Sequence, residues 1–456
     1  MNKFFLLLFF LIKSSFEVPR NVNRFLTRES LSPKNREIFD KTVVVLDEIK
    51  SLSNKIMDVD DIKNETDEVE VGIMSNPEMF QGDIFLLESQ IKKIKEDIEA
   101  NEDLNSKRKR RSAVIKNMPR SWDISQPIKY YVYEGNTSMI IDSLNKIASE
   151  SCISFEYLPS SFTGPGLRFY RGVGCWSWLG KIDDKNPQDV SLGVGCDAIG
   201  VIQHEIFHAL GIIHEQSRPD RDRFLEIHNE NYTPDKATNF YRYSYGSVDN
   251  YGIVYDYGSV MQYNGKSFSS NGGKTMIPKM SFFENAMGQS VGYTHYDLKL
   301  LNTYYCNNVC KSSITCNNGG FQSIKNCSEC RCPLGFTGTT CDEIVQRSPT
   351  CTDTVNYSNS TKQTIKIPIG RKCFYYIESP VGKKIMLVME NLQYSGYYYI
   401  PCNADNGVEI KYRSDMGLMG GMFCQPFTNE ILISQGNKIL IAVPENVKLQ
   451  VTFHSK

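Results

Sequence analysis

The sequence predicts a multidomain chain. A helical leader region precedes an α+β domain, then come a small disulfide-held module and an all-β sandwich. Three observations carry that prediction. The chain holds 14 cysteines in 456 residues, and none precedes Cys152. Composition breaks at a basic run, KRKRR, from Lys107 to Arg111. Apolar residues recur at helical spacing before that run and alternate in short stretches after residue 351. The length alone suggests two to four domains. A 41% hydrophobic share with 23% charged residues is that of an ordinary folded protein. A net charge of −1 argues for neither a nucleic-acid nor a polyanion partner.

Taken in order, the first element is MNKFFLLLFFLIKSSFEVPR. A lysine, an apolar run from Phe4 to Ile12 and then small polar residues predict a signal peptide over residues 1–15. That run is too short to span a bilayer, and no later stretch reaches ~18 apolar residues. The expected location is secreted, extracellular, with no membrane span. An even cysteine count agrees, predicting seven disulfides formed in an oxidising compartment. Glycosylation is expected at the sequons Asn64, Asn136, Asn231, Asn326, Asn356 and Asn359, of which only some need be used.

Residues 16–111 lack cysteine and are rich in charge. NREIFDKTVVVLDEIKSLSNKI and FLLESQIKKIKEDIEANEDL both place apolar residues at helical spacing with salt-bridge partners. A basic run is usually a solvated linker. At the edge of a compositional break in an exported chain, KRKRR predicts cleavage by a processing convertase after Arg111, leaving Ser112 as the new first residue.

Residues 112–306 form the α+β domain. SWDISQPIKYYVYEG reads as an entering strand and TSMIIDSLNKIASESC as a helix. The run HEIFHALGIIHEQ (204–216) then holds three of the six histidines. His204 and His208 are four apart and share one helix face. On a continuing helix His214 would lie about 15 Å along the axis from His204. Histidines sharing one zinc ion must each bring a nitrogen within about 2.1 Å of it. The helix must therefore stop and turn back, and Gly211 sits where the left-handed turn is needed. Glu205 is placed to polarise a water without being a ligand. A lone helical histidine is more often a core residue, but five fixed residues at fixed spacing outweigh that reading and predict one zinc ion per subunit. His228 and His295 lie outside the motif and are assigned no role.

These residues resemble the HExxHxxGxxH motif of the metzincins. The continuation HEQSRPDRDRF resembles the astacin family more narrowly. YDYGSVMQYNGKSFS (255–269) is similar to that family's methionine turn, with Gln262 where the family usually has histidine. The resemblance implies an α+β metzincin domain of two subdomains flanking a zinc cleft, Met261 beneath the zinc, and Tyr263 as a further ligand that can leave the metal. It also implies Cys152–Cys306 and Cys175–Cys196 pairing, and a contact between Glu215 and the mature N-terminus at Ser112. FQGD (80–83) resembles the FxGD of astacin prosegments, which makes Asp83 a zinc ligand in the zymogen. The residue reading is compatible: the segment offers neither cysteine nor histidine, so only oxygen ligands remain. Gly-Asp is otherwise a common surface turn.

Residues 307–342 hold six cysteines, Cys310, Cys316, Cys327, Cys330, Cys332 and Cys341. So short a segment needs disulfides to hold it, and fifteen pairings are open. NNGG and CRCPLGFTGTTC resemble an EGF-like module, implying Cys310–Cys327, Cys316–Cys330 and Cys332–Cys341. The acidic lead-in of calcium-binding versions is missing. Residues 351–456 show alternating runs such as KIMLVMEN and KLQVTF, the pattern of an all-β sandwich. CFYYIESPVGKKI resembles a CUB domain, implying Cys351–Cys373 and Cys402–Cys424.

The expected function is a secreted zinc endopeptidase made as a zymogen, acting on protein or peptide substrates with Glu205 as general base and Tyr263 as an oxyanion stabiliser. The rival is a catalytically silent extracellular binding or scaffold protein acting through its EGF-like and CUB modules, which would take protein partners. Glu205 discriminates them, because a relic domain has no need of ligands, base, glycine and methionine turn together.

Overall fold

The computed structural model describes residues 20–56, 76, 79–101, 114–115, 121–345, 351, 354–370, 372–395, 401–403, 406–426 and 428–456. The expected signal peptide, Asn64, the KRKRR run and the Arg111–Ser112 bond lie outside the described residues.

The N-terminal region forms helices Pro33–Ile56 and Glu88–Asn101, where helical spacing was read, and a third helix, Arg20–Ser30, where it was not. Between them the chain makes a two-residue strand, β1 (Ile84–Phe85). After β2 (Val114–Ile115), the central domain supplies β3 (Ile128–Val132), β4 (Phe155–Tyr157), β5 (Gly166–Tyr170), β6 (Cys175–Trp178) and β7 (Pro187–Leu192). The sheet order is β1-β6-β7-β5-β3-β4. Only the β6–β7 pairing is antiparallel, and β1 adds to the free edge of β6 with Ile84 opposite Ser177.

Alternation along the strands gives the sheet two buried faces. On one, Leu167, Phe169, Val190 and Leu192 pack with the helices Thr137–Glu150 and Ile199–Ala209. On the other, Tyr170, Trp176 and Trp178 pack with Leu31, Phe39, Val43 and Phe85 of the N-terminal region. That region also makes a polar contact there. Arg168 pairs with Asp189 at 2.6 Å, and the amide of Ser32 donates to the other Asp189 oxygen at 3.0 Å.

Beyond the motif helix the domain is mostly irregular. It has short 3-10 turns, a ribbon of Leu225–Ile227 with Met276–Pro278, and a closing helix, His295–Tyr305. Thr294 caps that helix in a reciprocal capping box with Asp297. Residues 307–345 form two small antiparallel ribbons. The last segment is a sandwich of a five-stranded and a four-stranded sheet.

The disulfides of the structure are Cys152–Cys306, Cys175–Cys196, Cys310–Cys327, Cys316–Cys330, Cys332–Cys341, Cys351–Cys373 and Cys402–Cys424. Among the described residues no helix is long and apolar enough to cross a membrane. Asn136 caps the Thr137–Glu150 helix, Asn326 and Asn359 are exposed, and Asn231 donates through Nδ2 to Lys274 O at 2.7 Å.

Candidate metal centre

The motif helix is buried from Gly200 to Ala209, so its two histidines stand in the interior. The helix ends at Ala209, and Gly211 takes a left-handed conformation at φ 93°. The Gly211 amide returns to His208 O at 2.8 Å, and the chain doubles back so that His214 faces the helix. The geometric demand placed on Gly211 by the histidine spacing is met in this way.

Each imidazole is held from behind. Nδ1 of His204 lies 2.7 Å from Val260 O, and Nδ1 of His208 lies 2.7 Å from Ile212 O. Nδ1 of His214 lies 2.8 Å from Gln81 Oε1. These partners only accept, so each Nδ1 carries a proton and each Nε2 is turned forward. The three Nε2 atoms converge on Asp83: His204 and His214 approach Oδ2 at 3.3 and 3.1 Å, and His208 approaches Oδ1 at 3.7 Å. His208 Nε2 and His214 Nε2 are 3.1 Å apart.

All four side chains are fully or almost fully buried, and their ligand atoms lie within 4.8 Å of one another. Lone pairs and a carboxylate gathered without water are unfavourable unless a cation joins them. His204 Nε2 has no hydrogen-bond partner, nor has either oxygen of Glu205. The donor set of three imidazoles and one carboxylate suits zinc.

The electrostatics follow from burial and proximity. Burial opposes ionisation of Asp83. The charge and hydrogen bonds of those surrounding imidazoles that carry a proton on Nε2 outweigh it, holding the carboxyl below its ordinary range in the metal-free site. Burial, and then the charge of Asp83, pushes Glu205 well above the ordinary carboxylate range. Burial lowers His208 and His214, keeping them neutral and able to ligate.

Asp83 reaches the histidines because FQGD is a buried tight turn, not a surface one. Gln81 and Gly82 both take left-handed conformations, at φ 54° and 81°. Phe80 anchors the turn edge-on to Tyr241 and Tyr243 at 6.0 and 6.5 Å between ring centroids. Gln81 was missed as a site residue. Its side chain orients His214, and its carbonyl accepts from the Tyr263 hydroxyl. No sequence signal beyond its place in the quoted motif distinguished it from a spacer.

Tyr263 is buried, with its ring 4.4 Å from His214 and its hydroxyl 3.4 Å from Asp83 Oδ1. Burial, then the charge of Asp83, keeps that hydroxyl protonated. Gln262 has a packing role: it accepts from the Tyr255 hydroxyl and donates to Tyr263 O at 2.9 Å. Met261 is buried in the core, its carbonyl accepting from Glu215 N at 2.9 Å. Glu215 lies beside a small cavity lined also by Asp256, Tyr296 and Asp297. It pairs with Arg218 at 2.9 Å and accepts the Asp256 amide at 2.9 Å, and burial pushes it up to about 8. His228 sits half-buried against Glu230, and His295 packs between Phe321 and Arg331, both outside the metal group.

Fold and site together define a three-histidine metal centre of the metzincin type, set between a sheet subdomain and an irregular one. The family model of the Astacin peptidases matches residues 114–306. Zinc metalloproteinase nas-34 of Caenorhabditis elegans is 35% identical over 397 residues, covering 84% of this chain and 63% of that protein. Zinc metalloproteinase nas-23 of the same organism is 33% identical over 378 residues, covering 79% and 68%. The chain thus spans about two thirds of these relatives. Among solved structures, high choriolytic enzyme 1, a hatching enzyme zinc-protease of Oryzias latipes, is 28% identical with a TM-score of 0.38, covering 42% of this chain and 98% of that one. The chain belongs to the astacin family.

Proposed function

We propose that the chain is the precursor of a secreted zinc-dependent endopeptidase that hydrolyses peptide bonds of extracellular proteins. The observation that carries this reading is the convergence of His204, His208 and His214 on one buried point beside an unpartnered Glu205. Those three nitrogens would hold zinc, which when bound supplies Lewis acidity and brings the pKa of a water towards neutrality.

The residues of the chain do the rest. Val260 O and Ile212 O fix the tautomers of His204 and His208, and Gln81 does the same for His214 while the precursor is uncut. Glu205 takes a proton from the attacking water and delivers it to the leaving amine. Loss of Asp83 removes one of the two influences that raise Glu205, which favours its basic form in the mature protein. Loss of Gln81 frees the Tyr263 hydroxyl to donate to the oxyanion that develops on the scissile carbonyl.

In the precursor, Asp83 occupies the position open to water and β1 fills the edge of the sheet. Cleavage after Arg111 by a convertase begins its removal and creates the terminus at Ser112, which Glu215 receives. Protein partners of the EGF-like and CUB modules belong to the same reading.

The test is hydrolysis of a peptide library by the activated chain. A chelator abolishes it and zinc restores it. Glu205→Ala retains zinc but loses activity by roughly three orders of magnitude or more. Cleavage by this variant at near the parent rate contradicts the mechanism.

A further inference from the structure

The all-β sandwich does not stand apart from the central domain. Its Lys411–Gly421 loop meets the segment leading into the methionine turn. Buried Arg413 donates from Nη1 to Tyr255 O at 3.0 Å and lies over the Phe283 ring. Met419 N donates to Asp256 Oδ1 at 3.3 Å. Gly258 leaves no room between the two: a Cβ there would come 1.7 Å from Met419 Sδ and 2.9 Å from its Cγ. Around these contacts Phe282 packs on Phe423, Phe283 on Tyr412, and the amide of Cys402 donates to Asn285 O at 2.9 Å.

The loop itself is stiffly built. Buried Lys411 donates to Met416 O and Leu418 O at 3.1 and 2.7 Å and pairs with Glu409, which accepts the Gly420 amide at 2.7 Å. A buried, fully bonded lysine at the base of a loop fixes its shape.

On the other side, the residues that Arg413 and Met419 bond, Tyr255 and Asp256, lead to the metal centre in a few bonds. The Tyr255 hydroxyl donates to Gln262, whose amide donates to Tyr263 O. The Asp256 amide donates to Glu215, and the Glu215 amide to Met261 O. Asp256 O accepts the Ser259 amide, and Ser259 and Val260 are both held by Asp297. The Val260 carbonyl then orients His204.

We infer that Arg413 and Met419 of the sandwich are positioning residues of the metal centre, holding the turn that aims Tyr263 and His204. The inference rests on the proposed peptidase reading for its activity arm, and not for its metal-binding arm. Outer contacts of this kind change activity or metal affinity by about ten- to a hundredfold.

The test uses the activated full chain with its sandwich. Gly258→Ala is expected to lower kcat about tenfold with little change in KM, and adding Met419→Ala to restore most of it. Arg413→Ala is expected to lower kcat, and to weaken zinc about tenfold in a chelator competition, with Arg413→Lys retaining part of both. Restoration in the double variant together with weakened zinc in Arg413→Ala supports the inference. A Gly258→Ala defect that Met419→Ala leaves untouched overturns it, and so does Arg413→Ala with parental kcat and zinc affinity. A Gly258→Ala chain that does not fold leaves the Arg413 pair to decide. A parent that binds zinc yet hydrolyses nothing counts against the peptidase reading alone, since the zinc competition still reads the positioning.

Discussion

The N-terminal region, proposed above as a prosegment, and the β-sandwich flank the central domain in sequence, and both bury apolar side chains against it. They reach the metal centre differently. The prosegment enters it: Asp83 faces all three histidines, Gln81 holds His214 and Tyr263, and Ile84 extends the sheet at its edge. The sandwich stays outside and meets the stretch before the methionine turn at Tyr255, Asp256 and Gly258, with further contacts at Phe282, Phe283, Asn285 and Tyr296. In the proposed reading, one contact competes with water and substrate for the site, while the other shapes the site they use. Disturbing the first should release activity and disturbing the second should reduce it, although both remove buried contacts.

Tyr263 stands at the junction of the two regions and gives the largest effect expected of a residue that both of them reach. Tyr263→Phe in the activated chain should lower kcat by about 10²-fold and change KM little, because the lost hydrogen bond forms mainly in the transition state. Unchanged turnover would make Tyr263 a packing residue, and would leave His204 as the one site residue for the sandwich to aim.

A smaller effect separates the regions by pH. Burial lowers His208 and His214 in the metal-free precursor, so the unfolded chain takes up protons that the folded site refuses. Folding stability then falls as pH drops below about 6.5, the ordinary histidine value, since the unfolded state binds more protons. Thermal unfolding of the chelated precursor should show Tm declining from pH 7 to pH 5, with zinc restoring much of the loss at pH 6. A Tm that rises across the same interval would mean that Asp83 keeps the histidines charged.

Much of the site was legible because its chemistry fixes residue type and spacing together. His204, Glu205, His208, Gly211 and His214 are read from one helix and one turn, where periodicity dictates which side chains meet. Asp83 was legible only through its resemblance to a known prosegment motif, as its segment offers many carboxylates and no spacing rule selects among them. Gln81 escaped because its roles come from folding 133 or more residues away against His214 and Tyr263, a separation no local pattern encodes. The prosegment helix Arg20–Ser30 was missed for a related reason. Its partly polar sequence, RNVNRFLTRES, carries too short an apolar stripe, and tertiary contacts such as Thr27 buried against Asn76 complete it. The sandwich was legible as alternating strands, but its seat on the central domain was not, since Arg413 and Met419 lie in a loop whose target is set by shape.

The central claim is that Asp83 silences the precursor by standing where water must stand. It is tested most directly in a chain whose Lys107–Arg111 run is replaced by neutral residues, so that the prosegment stays attached. Peptide hydrolysis by that uncut precursor should be absent, and Asp83→Ala within it should release partial activity that a chelator removes. An uncut Asp83→Ala precursor as silent as its parent, with zinc bound in both, would contradict the account and leave steric blockage by β1 and its flanking helices as the cause.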